Sequence, residues 1–184
     1  MPEGARILFL GSFPPQPHRW CMPFYYPNWI NDFWRIMGLI HLGDKDHFCI
    51  PALKKFDEAA IRNFCSLHGL AFYDTASEVR RLKDNASDAF LEVVTPTDIM
   101  ALLRRIPQCH TLVTTGQKAT EVVAGVFGCP MPAVGSWMDV ETPYHVAGDG
   151  RTIRFWRMPS TSRAYPMPLE KKAEAYRKLF QLKS

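Results

Sequence analysis

Ser160, Thr161 and Ser162 stand in a row within Met158-Pro159-Ser160-Thr161-Ser162-Arg163, ahead of a basic side chain and before an amphipathic run that closes the chain. Hydroxyls and main-chain N–H groups gathered at such a junction can hold a phosphate. Ser and Thr ahead of a helix are also ordinary caps, so the block alone decides nothing. Two blocks near the start add weight. Gly11-Ser12-Phe13-Pro14-Pro15 closes the apolar run Ile7-Leu8-Phe9-Leu10 and reads as a loop delivered by a buried strand. Phe24-Tyr25-Tyr26-Pro27-Asn28-Trp29-Ile30-Asn31-Asp32-Phe33-Trp34 sets aromatic faces beside amides that accept and donate without adding charge. Asp74 ends a further apolar run, Ala71-Phe72-Tyr73, where a carboxylate either caps the turn or meets a ligand.

The elements that must position these residues alternate. Strand-like runs lie at Ile7 to Leu10, Leu70 to Tyr73, Thr111 to Thr115 and Thr152 to Arg157. Helical patterns lie at Ile30 to Ile40, Lys54 to His68, Thr97 to Ile106, Ala119 to Phe127 and Leu169 to Leu182. Such alternation predicts an α/β fold with a short, mainly parallel central sheet covered on both faces, a three-layer α/β/α sandwich. Ligands bind such sheets beyond the carboxyl ends of the strands, where Ser12, Phe13, Asp74, Thr75, Gly116 and Ser160 fall. Val134 to Gly150, rich in Gly and Pro, reads as an irregular excursion or hairpin, and His145 within it has no partner at metal-ligand spacing.

A chain of 184 residues with 47% hydrophobic composition suits one substantial core, so residues 1–184 are expected to form a single domain. No signal peptide and no apolar run of membrane-spanning length is visible, and the expectation is a soluble, cytoplasmic monomer. Cys21, Cys49, Cys65, Cys109 and Cys129 are odd in number and include no C-x-x-C pair, so buried reduced thiols are expected rather than disulfides or a metal site. Residues 151–184 carry nine Lys or Arg against two Glu, whereas the whole chain is only +4. That polarity suits a face meeting a phosphodiester backbone, although a solvated basic helix has the same composition.

In this order, the Gly-Ser-Phe-Pro opening, the Asn31-Asp32-Phe33-Trp34 block and Met158-Pro159-Ser160-Thr161-Ser162 resemble the uracil-DNA glycosylase superfamily. Within it they are most similar to the hypoxanthine-DNA glycosylase branch and then to the mismatch-specific thymine and uracil glycosylases. The resemblance implies base-excision repair of DNA: hydrolysis of the N-glycosidic bond of a flipped deaminated base, hypoxanthine or uracil, with no metal or nucleotide cofactor. Such an enzyme needs a stacking aromatic, a reader of the base edge, a group that positions water and a wedge that replaces the base.

Carried over by motif, Asn31 positions the water, because Phe13 occupies the place where the mismatch branch has its catalytic amide and a phenyl ring cannot orient water. Asn28 is a secondary candidate, since relatives often have His-Pro shortly before the Asn. Tyr26, or alternatively Tyr25, stacks on the base, with Ser12 and Phe13 forming a further wall. Asp74 stands where uracil-specific relatives have an edge-reading Asn. An ionised carboxylate only accepts, so in this role Asp74 must be held protonated by burial or tied to Thr75 and nearby backbone donors. Ser160, Thr161 and Ser162 hold flanking phosphates and Arg163 is the wedge, although it follows Ser162 directly where the mismatch branch has an intervening residue. Met158 replaces the His of the most efficient uracil enzymes, which implies a slower enzyme or better leaving groups. Lys118 adds a phosphate contact or is simply an exposed lysine.

Two other readings stay open. One is a catalytically weak or inactive DNA-binding member of the same fold, and the other is an unrelated α/β enzyme acting on a small nucleotide. The chain has neither a G-x-x-x-x-G-K-[ST] loop nor a G-x-G-x-x-G after its first strand.

Overall fold

The computed structural model describes residues 2, 4–11, 14–81, 91–142 and 150–181, with the side chains of 77–81 and 91–94 excepted. The chain packs as two compact units, one of Met1–Phe13 with Cys65–Met158 and one of Pro14–Phe64 with Pro159–Ser184.

The first unit holds a five-stranded sheet in the order β4-β1-β7-β9-β8. Its strands are β1 Ile7–Gly11, β4 Leu70–Asp74, β7 Thr111–Thr114, β8 Ser136–Glu141 and β9 Thr152–Arg157. β1 pairs in parallel with β4 and β7, and β7 in parallel with β9, so the α/β fold with a mainly parallel sheet is the one expected. Strands buried on both faces read as continuous apolar runs, which is why the centre of this sheet was visible in sequence. Leu8 and Leu10 enter a core with Leu102, Leu103, Leu112, Val123 and Phe155, and Phe9 stacks on Phe72 at 5.3 Å.

Helix α3, Ile99–Arg105, is capped by the Asp98 side chain, which accepts from Ala101 N at 2.9 Å. Helix α4, Gln117–Phe127, follows β7 after Thr115-Gly116. One feature was not anticipated. β5 Ala76–Arg81 and β6 Leu91–Pro96 form a separate antiparallel pair. β8 runs antiparallel to β9, so of the two forms expected for the 134–150 stretch, excursion or hairpin, its first part takes the second, as one arm of a hairpin. Its Trp137 lies half-exposed under the Arg154 guanidinium, 4.4 Å from the ring centroid. His145 lies outside the described residues.

The second unit is built on α1, Phe33–Leu42, and α5, Leu169–Gln181, with a small antiparallel pair, β2 Cys49–Ile50 and β3 Lys55–Phe56. Helix α2, Glu58–His68, begins here and ends in the first unit. The expected start of α1 at Ile30 is corrected to Phe33, because Trp29 and Ile30 are spent in a turn. The expected start of α2 at Lys54 is corrected too, since Lys54 sits at φ 48° and Lys55 and Phe56 pair as a strand. Phe33 meets Tyr176 of α5 edge to face at 6.3 Å, and Trp34 meets Phe48 at 6.2 Å. Of the cysteines, Cys65 and Cys109 are buried as expected, whereas Cys21, Cys49 and Cys129 are only half-buried.

Helix α1 ends at Gly43, φ 71°, and the chain then folds back over Gly38. A Cβ at Gly38 would collide with the Asp44 carbonyl oxygen. Gly38→Ala is therefore expected to cost about 1–3 kcal/mol through overpacking. Urea denaturation should show a lower midpoint at an unchanged slope.

Candidate functional site

Successive side-chain turns lead the chain into α1. Asn28 Oδ1 accepts from Ile30 N at 3.1 Å, Asn31 N donates to Asn28 O at 2.8 Å, and Asn31 Oδ1 accepts from Phe33 N at 2.9 Å. Asn31 thus satisfies one of the orphan N–H groups of the first helical turn, as a capping residue does. The bond also fixes the direction of the amide, because only its oxygen can accept. Tyr26 lies flat on Phe33, with ring centroids 3.9 Å apart and planes 3° from parallel. It holds φ 51°, an uncommon backbone region for a bulky residue. Tyr25 is placed otherwise, with its ring edge-on to Phe24 and its carbonyl accepting from Trp34 Nε1.

Asp32 joins this helix start to the Ser160–Arg163 loop. Its N–H donates to Thr161 O at 2.9 Å, and its carboxylate receives Arg163 Nε on Oδ1 at 3.1 Å and Lys172 Nζ on Oδ2 at 3.0 Å. Lys172, with its side chain 1% exposed, also donates to Ser162 O at 2.8 Å. Within the loop, Ser160 Oγ accepts from Ser162 N and Ser162 Oγ from Ala164 N, each at 3.2 Å. Thr161 is buried and Ser162 exposed. Arg163, expected as a wedge, is half-exposed and holds Asp32 through one nitrogen only. Tyr176 Oη donates to Pro159 O at 2.9 Å, and burial, with Tyr26 nearby as a lesser cause, pushes its phenol well above the ordinary range.

In the first unit, Asp74 is the last residue of β4 and pairs in register with Gly11 of β1. A Cβ at Gly11 would come within 3.2 Å of Asp74 Oδ1, so glycine leaves room for the carboxyl. Burial raises Asp74 from 3.8 to about 6, and no charged neighbour among the described residues contributes. Thr75 does not supply the expected tie, since its hydroxyl donates to Gly11 O at 3.0 Å. The Asp74 main chain is fixed instead by Thr97 Oγ1, which donates to its carbonyl at 2.7 Å. Lys118, in the first turn of α4, pairs with Glu121 at 3.5 Å. Met158 is buried, its N–H donating to Thr114 O at 2.8 Å. Ser12 and Phe13 lie outside the described residues.

The structure thus brings Tyr26, Asn31, Thr161, Ser162 and Arg163 into one connected cluster of the second unit. Asp74 and Lys118 belong to the first unit. Sequence reasoning missed Asp32, Lys172 and Arg35. A signal existed for Lys172: Lys172, Ala173, Tyr176 and Leu179 are the buried face of α5, so a lysine interrupts an otherwise apolar helical stripe.

The sequence matches no protein-family profile. A search of curated proteins likewise finds no match. Among solved structures, the chain resembles the solution NMR structure of a "putative Uracil DNA glycosylase" from Methanosarcina acetivorans. The TM-score is 0.61 at 19% identity, over 99% of this chain and 94% of that one. At that identity the likeness is one of fold.

Two outcomes are expected from this geometry. Lys172→Ala strips a buried carboxylate of one partner and should cost about 3–5 kcal/mol in chemical denaturation. Asp74 binds its proton more tightly folded than unfolded. Its neutral form therefore contributes stability that is complete below pH 3.8 and lost as pH rises through about 6. Relative to Asp74→Asn, the wild type should lose about 3 kcal/mol across that window, measured as the pH dependence of the stability difference.

Proposed function

We propose that this protein is a monofunctional DNA glycosylase that hydrolyses the N-glycosidic bond of a deaminated base, hypoxanthine or uracil, as a step of base-excision repair. The observation that carries the reading is the bond from Asp32 N to Thr161 O, reinforced by the Asp32–Arg163 pair. It ties a flat aromatic and an oriented amide to a hydroxyl-rich loop with a cation. Stacking surface, water-positioning group and phosphate-holding loop are the parts that base excision needs. The glycosylase-like fold of the whole chain agrees with it.

In this reading the face of Tyr26 away from Phe33 receives the flipped base. Asn31 Oδ1 keeps a lone pair beyond the one used by Phe33 N–H and directs a water at C1′. The C1′–N bond breaks with its electron pair leaving on the base, while positive charge spreads over C1′ and the ring oxygen. Water adds to C1′, its proton is passed on, and the base leaves protonated, giving free base and an abasic site. Ser160, Ser162 and Arg163 hold the backbone of the strand and the vacated stack, and Lys118 adds a further phosphate contact. Asp74, protonated below about pH 6, can donate one hydrogen bond to a base edge and accept another. Above that pH its negative charge opposes a departing base anion.

A second reading, a DNA-binding member of the fold with little or no activity, is favoured by two observations. Asn31 already caps α1, and Arg163 is already paired with Asp32. Single- and double-stranded oligonucleotides carrying uracil, hypoxanthine or xanthine, treated with alkali after incubation, separate the two. Release from one lesion is expected, reduced about 100-fold in Asn31→Ser, whose hydroxyl can still cap the helix. Equal rates in wild type and variant would remove Asn31 from the mechanism. Salt-sensitive binding without release from any lesion would establish the second reading.

A further inference from the structure

The second unit contains an open cleft of about 470 Å³, lined by Asp32, Arg35, Lys45, Asp46, Arg163, Met167, Leu169 and Lys172. Four cations face two carboxylates, and both oxygens of Asp32 are already taken by Arg163 and Lys172. Arg35 is the unusual member. It is 6% exposed, yet no carboxylate is paired with it among the described residues. Its Nη1 donates to Trp29 O at 2.8 Å and Asn31 O at 3.1 Å, and its guanidinium carbon lies 4.4 Å from the Trp29 ring centroid. Two carbonyls and an aromatic face fix the plane of the fork without neutralising it. A buried charge without a counter-charge is costly, and a fixed guanidinium with donors to spare is suited to a tetrahedral oxyanion.

We infer that this cleft is a phosphate subsite, with Arg35 and Lys45 as its donors. It takes a backbone phosphodiester of the DNA strand, apart from the phosphates held by Ser160 and Ser162. The inference deepens the glycosylase reading and rests on it for the source of the phosphate. Lys45 is exposed and comes to the cleft because the chain folds back over Gly38, so its replacement leaves the buried network intact. Asp46 on the same rim disfavours a doubly charged monoester relative to the singly charged diester.

The test compares wild type, Lys45→Gln and Arg35→Lys in two measurements. The first follows backbone amide and arginine side-chain NMR shifts during titration with inorganic phosphate. The second takes the slope of log K against log salt for a duplex containing an abasic site. The expected result is phosphate-induced shifts at Arg35 and Lys45, weakened in both variants, and a slope shallower by about 0.9 in Lys45→Gln, the value for one lost B-DNA phosphate contact. DNA binding with an unchanged slope and no phosphate-induced shift in the cleft would overturn the inference and leave the glycosylase reading standing. Phosphate shifts in the cleft without DNA binding or base release would overturn the backbone as the source, and the glycosylase reading with it, leaving a site for free phosphate. Arg35→Lys keeps the charge but not the fork. Should it fail to fold, Lys45→Gln decides alone.

Discussion

A carboxylate taken out of water must find a cation or a donor for each oxygen, and Asp32 finds both in Arg163 and Lys172. Its main chain is engaged as well, with the N–H on Thr161 O and the carbonyl accepting from Ile36 N inside α1. One residue therefore couples the start of α1, the 158–165 loop and the buried face of α5. Such a pair is not by itself more stabilising than well-packed apolar side chains. Removing either side, however, leaves an uncompensated charge. The loop and the two helices are thus held in one arrangement, and every candidate contact of the second unit depends on it.

Asp74 is the opposite case for the same residue type. It is buried at the end of a parallel strand with no cation paired to it among the described residues, and burial pushes its carboxyl up to about 6. Its place follows from two small features of neighbouring chain: Gly11, which leaves room for Oδ1, and the Thr97 hydroxyl, which fixes its carbonyl. A carboxylic acid that can be kept neutral is able to donate, which widens what it can recognise.

The strands of the parallel sheet and the central turns of the helices were legible because their apolar residues recur at the spacing of buried faces. The errors fall where local chemistry overrides that spacing. Ile30 extends the apolar pattern of α1 backwards, but it is exposed in a turn closed by Asn28. Lys54 to Phe56 carry the pattern of α2 into a residue with positive φ and a two-residue strand. At β8 the sequence left two forms open, an excursion or a hairpin, because the inward side of its alternation is only Met138 and Val140 within a stretch rich in Gly and Pro.

What the sequence determined by itself is the order of elements and the presence of an amide, flat aromatics and a hydroxyl-rich loop ending in Arg163. Each of these is written in the residue types and in their spacing along the chain. The tertiary structure decided which groups are already spent and which charges are held out of water: Asn31 bound to a helix start, Arg163 and Lys172 sharing one carboxylate, Arg35 buried on two carbonyls and an aromatic ring, Asp74 desolvated. Pairing and burial are properties of residues brought together from distant parts of the chain. Asp32 meets Lys172 at a separation of 140 residues, a distance over which no local pattern carries information.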